Sequence, residues 1–105
     1  MDKSVFLIGM PGAGKSFWGK AIADKMQTSF FDLDDEIEKA EQRTISKIFE
    51  QDGEPYFRKQ ESIVLSNIIL AAQKPFVLST GGGTPIDEAN FNLLKQHGVI
   101  IYLKA

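Results

Sequence analysis

Short apolar runs alternate along this chain with segments in which apolar residues recur every three or four positions. Ser4 to Ile8 is continuously apolar after its first residue and reads as a buried strand. A glycine-rich turn follows, then a helix from about Lys15 to Met26, with Phe17, Ala21, Ile22 and Met26 at helical spacing. Ser29 to Asp32 predicts a short second strand whose exit delivers acidic residues, with a helix over Asp35 to Glu41. Thr44 is placed to cap a helix carrying Ile45, Ile48 and Phe49 on one face, and Gly53 lies where a left-handed cap would end it. A longer helix is expected from Tyr56 to about Ala72, stopping before Pro75. Phe76 to Ser79 reads as a third strand. Asp87 then caps a helix through His97, Gly98 ends it, and Val99 to Leu103 forms a fourth strand. Strands alternating with helical segments predict an α/β fold, a parallel sheet covered by crossover helices.

Composition narrows the picture. A chain of 105 residues, 43% hydrophobic, has material for one domain spanning 1–105. Such a domain buries roughly two-thirds of its unfolded surface, enough to be stable without staples. Twelve basic and fourteen acidic residues are interspersed, so no basic footprint for nucleic acid appears. The absence of cysteine excludes disulfides and thiolate metal sites and suits a reducing compartment, with the cytoplasm as the expected location. Val5 to Ile8 is too short for a membrane span or a signal segment, so no membrane partner is expected.

The sharpest local signal is Gly9-Met10-Pro11-Gly12-Ala13-Gly14-Lys15-Ser16, a phosphate-binding pattern lying between a strand and a helix as that motif requires. Glycines let backbone N–H groups close around phosphate oxygens, and some of these positions need positive φ. The start of the following helix adds unpaired N–H groups and the positive end of its dipole. Lys15 supplies a full charge to the outer phosphates, and Ser16 is left to ligate Mg²⁺. The candidate phosphate-binding set is Gly12, Ala13, Gly14, Lys15, Ser16 and Phe17. An ordinary glycine-rich turn explains the glycines but not a Lys-Ser pair at this offset.

The crevice at the strand ends is where a phosphate acceptor would lie. Asp32 and Asp34 stand two apart, so if the strand continues both point the same way, one toward a metal and the other toward an acceptor hydroxyl. The same carboxylates also suit the acidic first turn of a helix. Arg58, beside Tyr56 and Phe57, is either a surface arginine or a planar partner for a substrate carboxylate. Gly81-Gly82-Gly83 offers backbone N–H groups to an anion or hydroxyl, or is a flexible turn. His97, in the last turn of its helix, reads as a solvated helix end, and Trp18 as a packing residue.

Taken together, these elements resemble the shikimate kinases, within the nucleoside monophosphate kinase-like P-loop group. The resemblance rests on Gly14-Lys15-Ser16, the Asp32-Leu33-Asp34 pair, the run Ile48 to Glu54 leading to Phe57-Arg58 and Glu61, and Thr80-Gly81-Gly82-Gly83, and it extends over essentially the whole chain. It implies a three-layer α/β/α P-loop fold with a shikimate-binding segment at about 33–61. The implied activity is transfer of the γ-phosphoryl group of ATP to the 3-hydroxyl of shikimate, in the route to aromatic amino acids. By that resemblance Lys15 and Asp34 are catalytic, Ser16 and Asp32 hold Mg²⁺, and Arg58 pairs with the shikimate carboxylate. Asp34 also binds the ring hydroxyls, Gly81, Gly82 and Gly83 shape the pocket floor, and Phe49 and Phe57 wall the ring.

Members of that family are longer than this chain. Their C-terminal part carries a lid, an arginine for the phosphates, a further strand and an adenine-contacting loop, with no counterpart here. The fold is therefore expected to be incomplete at its C-terminus, with weak turnover and an exposed sheet edge. A monomer is expected for the full-length protein. The alternatives left open are a kinase of another small hydroxy acid such as gluconate, or of a nucleotide, and a nucleotide-binding module without turnover.

Overall fold

The computed structural model describes residues 3–9, 14–80 and 87–103. Gly12, Ala13, Gly81, Gly82 and Gly83, all named above as site residues, lie outside the described residues.

Strand β1 (Ser4–Gly9) leads to helix α1 (Lys15–Met26), strand β2 (Ser29–Asp32), helices α2 (Leu33–Glu41) and α3 (Ile45–Ala71), strand β3 (Phe76–Ser79), helix α4 (Glu88–His97) and strand β4 (Gly98–Leu103). The four strands form one sheet in the order β2-β3-β1-β4, and every neighbouring pair is parallel. Residue Val5 pairs with Val77 on one side and Val99 on the other, so β1 is central. Thr80 pins the exit of β3 to β1: its backbone N–H and its hydroxyl both donate to the Leu7 carbonyl, at 3.0 and 3.1 Å.

Successive side chains of a strand point to opposite faces, and the core divides accordingly. Val5, Leu7 and Val77 face Ala23, Ile22 and Met26 of α1. On the other face Phe6, Phe76 and Leu78 pack with Leu33, Ile37, Ile48, Phe57, Leu65, Ile69 and Leu94 from α2, α3 and α4. Helices on both faces of a parallel sheet give three layers, as expected. Phe76 is met edge-on by Phe6 and Phe31, at centroid distances of 5.9 and 5.6 Å. Each such fully buried side chain contributes about 1.5–3 kcal/mol. Among the described residues, no helix is long and apolar enough to cross a membrane.

Helix α1 spans the predicted residues but turns a different face inward. Its buried positions are Lys15, Gly19 and Ala23, whereas Phe17 is 70% and Trp18 51% exposed. Gly19 sits so close to β2 that a Cβ there would come within 2.2 Å of the Phe30 ring. That close approach places Ile22 and Met26 at the margin of the core and leaves Phe17 outside it. Trp18 therefore packs edge-on against Phe17, at 5.4 Å, rather than in the interior.

Helix α2 begins two residues earlier than the sequence suggests, which corrects the expectation that Asp32 and Asp34 share one strand. Asp32 is the N-cap, with extended backbone, and its side chain accepts from the Asp35 N–H at 3.3 Å. Leu33 and Ile37 are one turn apart and both buried, so burying them together starts the helix directly after the strand. Asp34 consequently stands in the first helical turn, where acids complement the dipole.

The two helices predicted around Gly53 are both present and meet there at a kink, within the span Ile45–Ala71. Gly53 has φ 83° and ψ 174°, a positive φ with extended ψ rather than a left-handed cap. Only glycine adopts this combination readily, and Pro55, two residues on, suits the first turn of the second segment. Thr44 caps α3 through Lys47 N–H, and Asp87 caps α4 through Asn90 N–H, both as expected. Gly98 ends α4 and opens β4 in extended conformation. Among the described residues β4 pairs only with β1, and Val99 and Tyr102 on it are 39% and 56% exposed, as the exposed-edge expectation requires.

Candidate functional site

The site is assembled where β1, β2 and β3 end. Gly14, in left-handed conformation (φ 78°, ψ 27°), caps α1, so the N–H groups of the first turn face the same end as the strand termini. Lys15, only 8% exposed, donates from Nζ to the Gly9 carbonyl at 2.7 Å. The ammonium is thereby bent back over the last residue of β1. Ser16 donates from its hydroxyl to Asp32 Oδ2 at 3.0 Å, tying the start of α1 to the end of β2. Oδ1 of the same carboxylate caps α2, so Asp32 is held at both oxygens.

An open cleft of about 330 Å³ is lined by Gly14, Lys15, Ser16, Phe17, Asp32, Asp34, Ser79 and Thr80. Five sequence-selected side chains, Lys15, Ser16, Phe17, Asp32 and Asp34, thus share one concavity. Asp34 reaches it from the first turn of α2, so the two carboxylates meet in the cleft by a strand-to-helix turn instead of strand alternation. The hydroxyl of Ser16 beside a carboxylate oxygen is a hard oxygen donor pair of the kind that suits Mg²⁺, which keeps several non-protein oxygen ligands.

Arg58, Phe49 and Phe57 lie on α3, outside the residues that line this cleft. Arg58 is part-buried and pairs with Glu61 at 3.0 Å and Glu54 at 3.5 Å, while its guanidinium lies 5.0 Å from the centroid of the Phe57 ring. Phe49 and Phe57 stack with centroids 4.9 Å apart. Phe57 is buried in the core and Phe49 is 38% exposed. Glu61 connects this group to the cleft. Burial raises its carboxyl above the ordinary glutamate range, the hydrogen bond and charge of Arg58 oppose that, and the charges of Asp34 and Asp87 raise it further. Charged groups from α2, α3 and the cap of α4 therefore all act on Glu61.

Sequence reasoning assigned no role to Glu61, Ser79 or Thr80. Glu61 was readable as the i+3 partner of Arg58. Ser79 carries no local signal, and Thr80 entered only as part of the Thr80 to Gly83 run, because it is the pairing of β3 with β1 that brings both to the cleft.

The shikimate kinase family model matches residues 11–105. The chain belongs to the shikimate kinase family. Relatives include a shikimate kinase from Cereibacter sphaeroides, 46% identical over all of this chain and 52% of that protein. One from Alkaliphilus oremlandii is 46% identical over all of this chain and 61% of its own length. Among solved structures, "Shikimate kinase from Acinetobacter baumannii in complex with shikimate" superposes with a TM-score of 0.92 at 38% identity, covering 100% of this chain and 57% of that one. The chain thus spans about half the length of the curated shikimate kinases it matches. A gluconokinase from Sinorhizobium meliloti, at 17% identity and a TM-score of 0.59, shares the fold alone.

Proposed function

We propose that this chain carries the core of an ATP-dependent kinase that transfers the γ-phosphoryl group to the 3-hydroxyl of shikimate. The observation that carries the reading is the cleft in which Lys15, Ser16, Asp32 and Asp34 converge at the ends of β1, β2 and β3. Shikimate enters as acceptor because the Acinetobacter baumannii relative is described as a complex with it.

In this reading the N–H groups of the loop and of the first turn of α1, at Gly12, Ala13, Gly14, Lys15, Ser16 and Phe17, hold the polyphosphate. The Lys15 ammonium stabilises charge that grows on the transferring group. Ser16 and Asp32, directly or through water, hold Mg²⁺, which when bound neutralises charge on the outer phosphates. Asp34 orients the attacking hydroxyl and accepts its proton, as the new P–O bond forms and the bond to the β-phosphate oxygen breaks with ADP leaving. Arg58, steadied by Glu61, offers its planar fork to the acceptor carboxylate. Phe49 and Phe57 wall the ring and exclude water, and Gly81, Gly82 and Gly83 supply backbone donors. A protein with this chemistry and no cysteine suits the cytoplasm.

A coupled ADP-release assay with shikimate and with gluconate tests the reading. ADP release that requires shikimate is expected. Release with gluconate alone would replace the acceptor, and binding of both ligands without transfer would leave a nucleotide-binding module.

A further inference from the structure

The kink of α3 is bridged on its outer side by a knot of polar side chains that the mechanism above does not use. Arg43, between α2 and α3, donates from Nη2 to Glu41 Oε1 at 2.8 Å and lies 2.7 Å from Asp52 Oδ2. Its Nε also reaches Glu41 Oε1 at 3.2 Å, and Nη1 donates to Gln51 Oε1 at 2.7 Å. Tyr56 donates its hydroxyl to the Glu41 carboxylate, 3.1 Å from each oxygen, and its ring centroid lies 5.5 Å from the Arg43 guanidinium. Glu41 ends α2, Gln51 and Asp52 precede Gly53, and Tyr56 follows it. Three helical segments are therefore joined at one carboxylate and one guanidinium.

The placement matters because non-helical Gly53 interrupts the backbone ladder that would otherwise hold the two halves of α3 at a fixed angle. Side chains must set that angle instead. Helix α2 carries Asp34 at one end and Glu41 at the other, about 10 Å apart along its axis. Tyr56 stands two residues before Arg58. The knot thus links the far end of the helix bearing Asp34 to the start of the segment bearing Arg58. Glu41 is mostly removed from water and Tyr56 is part-buried, and desolvation together with the Glu41 hydrogen bond raises the Tyr56 hydroxyl above its ordinary range.

We propose that Glu41, Arg43 and Tyr56 are positioning residues that fix the separation between Asp34 and Arg58, and with it the size of hydroxy acid that fits between them. The proposal rests on reading those two residues as the hydroxyl and carboxylate ends of the acceptor site. Tyr56→Phe keeps the ring and removes the bond to Glu41. Calorimetric titration of the whole chain is expected to show shikimate weakened about tenfold with ADP-Mg unchanged, and no further loss when Tyr56→Phe is added to Arg58→Ala. Equal weakening of both ligands, full additivity with Arg58→Ala, or no loss would overturn the proposal.

A parent chain that binds no shikimate would overturn the acceptor reading instead, and a ligand-free measurement then decides the positioning claim. The chain has no cysteine, so spin labels on Asp35→Cys and Lys59→Cys report the spacing between the two segments. A narrow distance distribution is expected in the parent and a broadened one in Arg43→Met; equal widths would overturn the claim.

Discussion

Among the described residues, Lys15 is the one buried charged side chain. Removing an ammonium from water is costly unless it gains partners, and the Gly9 carbonyl is one of them. Its place in the cleft was legible in the sequence because the offset of Lys15-Ser16 from the glycines is local. The perturbation of Glu61 was not, because it arises from burial and from Asp34 and Asp87, which are distant in sequence. Replacing Arg58 by alanine is expected to weaken shikimate about 10- to 100-fold, as for loss of charged hydrogen bonds, while sparing ADP-Mg. Parallel titrations check this, and equal loss of both ligands would remove Arg58 from the acceptor site. The raised carboxyl of Glu61 gives a stability contribution that is complete below the ordinary glutamate range and is lost as pH rises through its folded value. The Tm of the parent minus that of Glu61→Gln should therefore fall from acid to neutral pH. A difference that grows with pH would contradict the assignment.

At the scale of elements, strands and caps were the most readable features. Short apolar runs bounded by turn residues marked the strands, and Thr44 and Asp87 are caps whose side chains need only a neighbouring N–H. What could not be read was which face of α1 is buried. The apolar spacing favoured Phe17, but Gly19 lets the helix approach Phe30 and turns Phe17 outward. The early start of α2 was hidden for a related reason, since Leu33 and Ile37 reveal a common face only once the core they enter is known. Gly53 was legible as a break, but not as one with extended ψ in place of a left-handed cap. Gly53→Ala should cost about 1–3 kcal/mol, the range for a non-glycine residue forced into such a backbone conformation, measured by urea unfolding. A variant as stable as the parent would show that the kink is not held at positive φ.

For the whole molecule, alternation of strands and helices announced a parallel sheet but not the order β2-β3-β1-β4. That order depends on β3 entering between β1 and β2, a pairing across more than forty residues of chain from β2. It is also what gathers the ends of three strands around one cleft, at the carboxyl edge where ligands of open α/β sheets bind. Among the described residues the outer edge of β4, with Val99 and Tyr102 exposed, has no paired strand and is a template for association. Light scattering of the 105-residue chain is expected to show self-association, and a compact monomer would contradict that reading. The claim on which the function depends is that the cleft holds a polyphosphate against Lys15 and Ser16. Calorimetric titration with ADP-Mg tests it most directly. Saturable one-to-one binding is expected in the parent, weakened at least about tenfold in Lys15→Ala. Binding that is absent from the parent, or unchanged in Lys15→Ala, would contradict it.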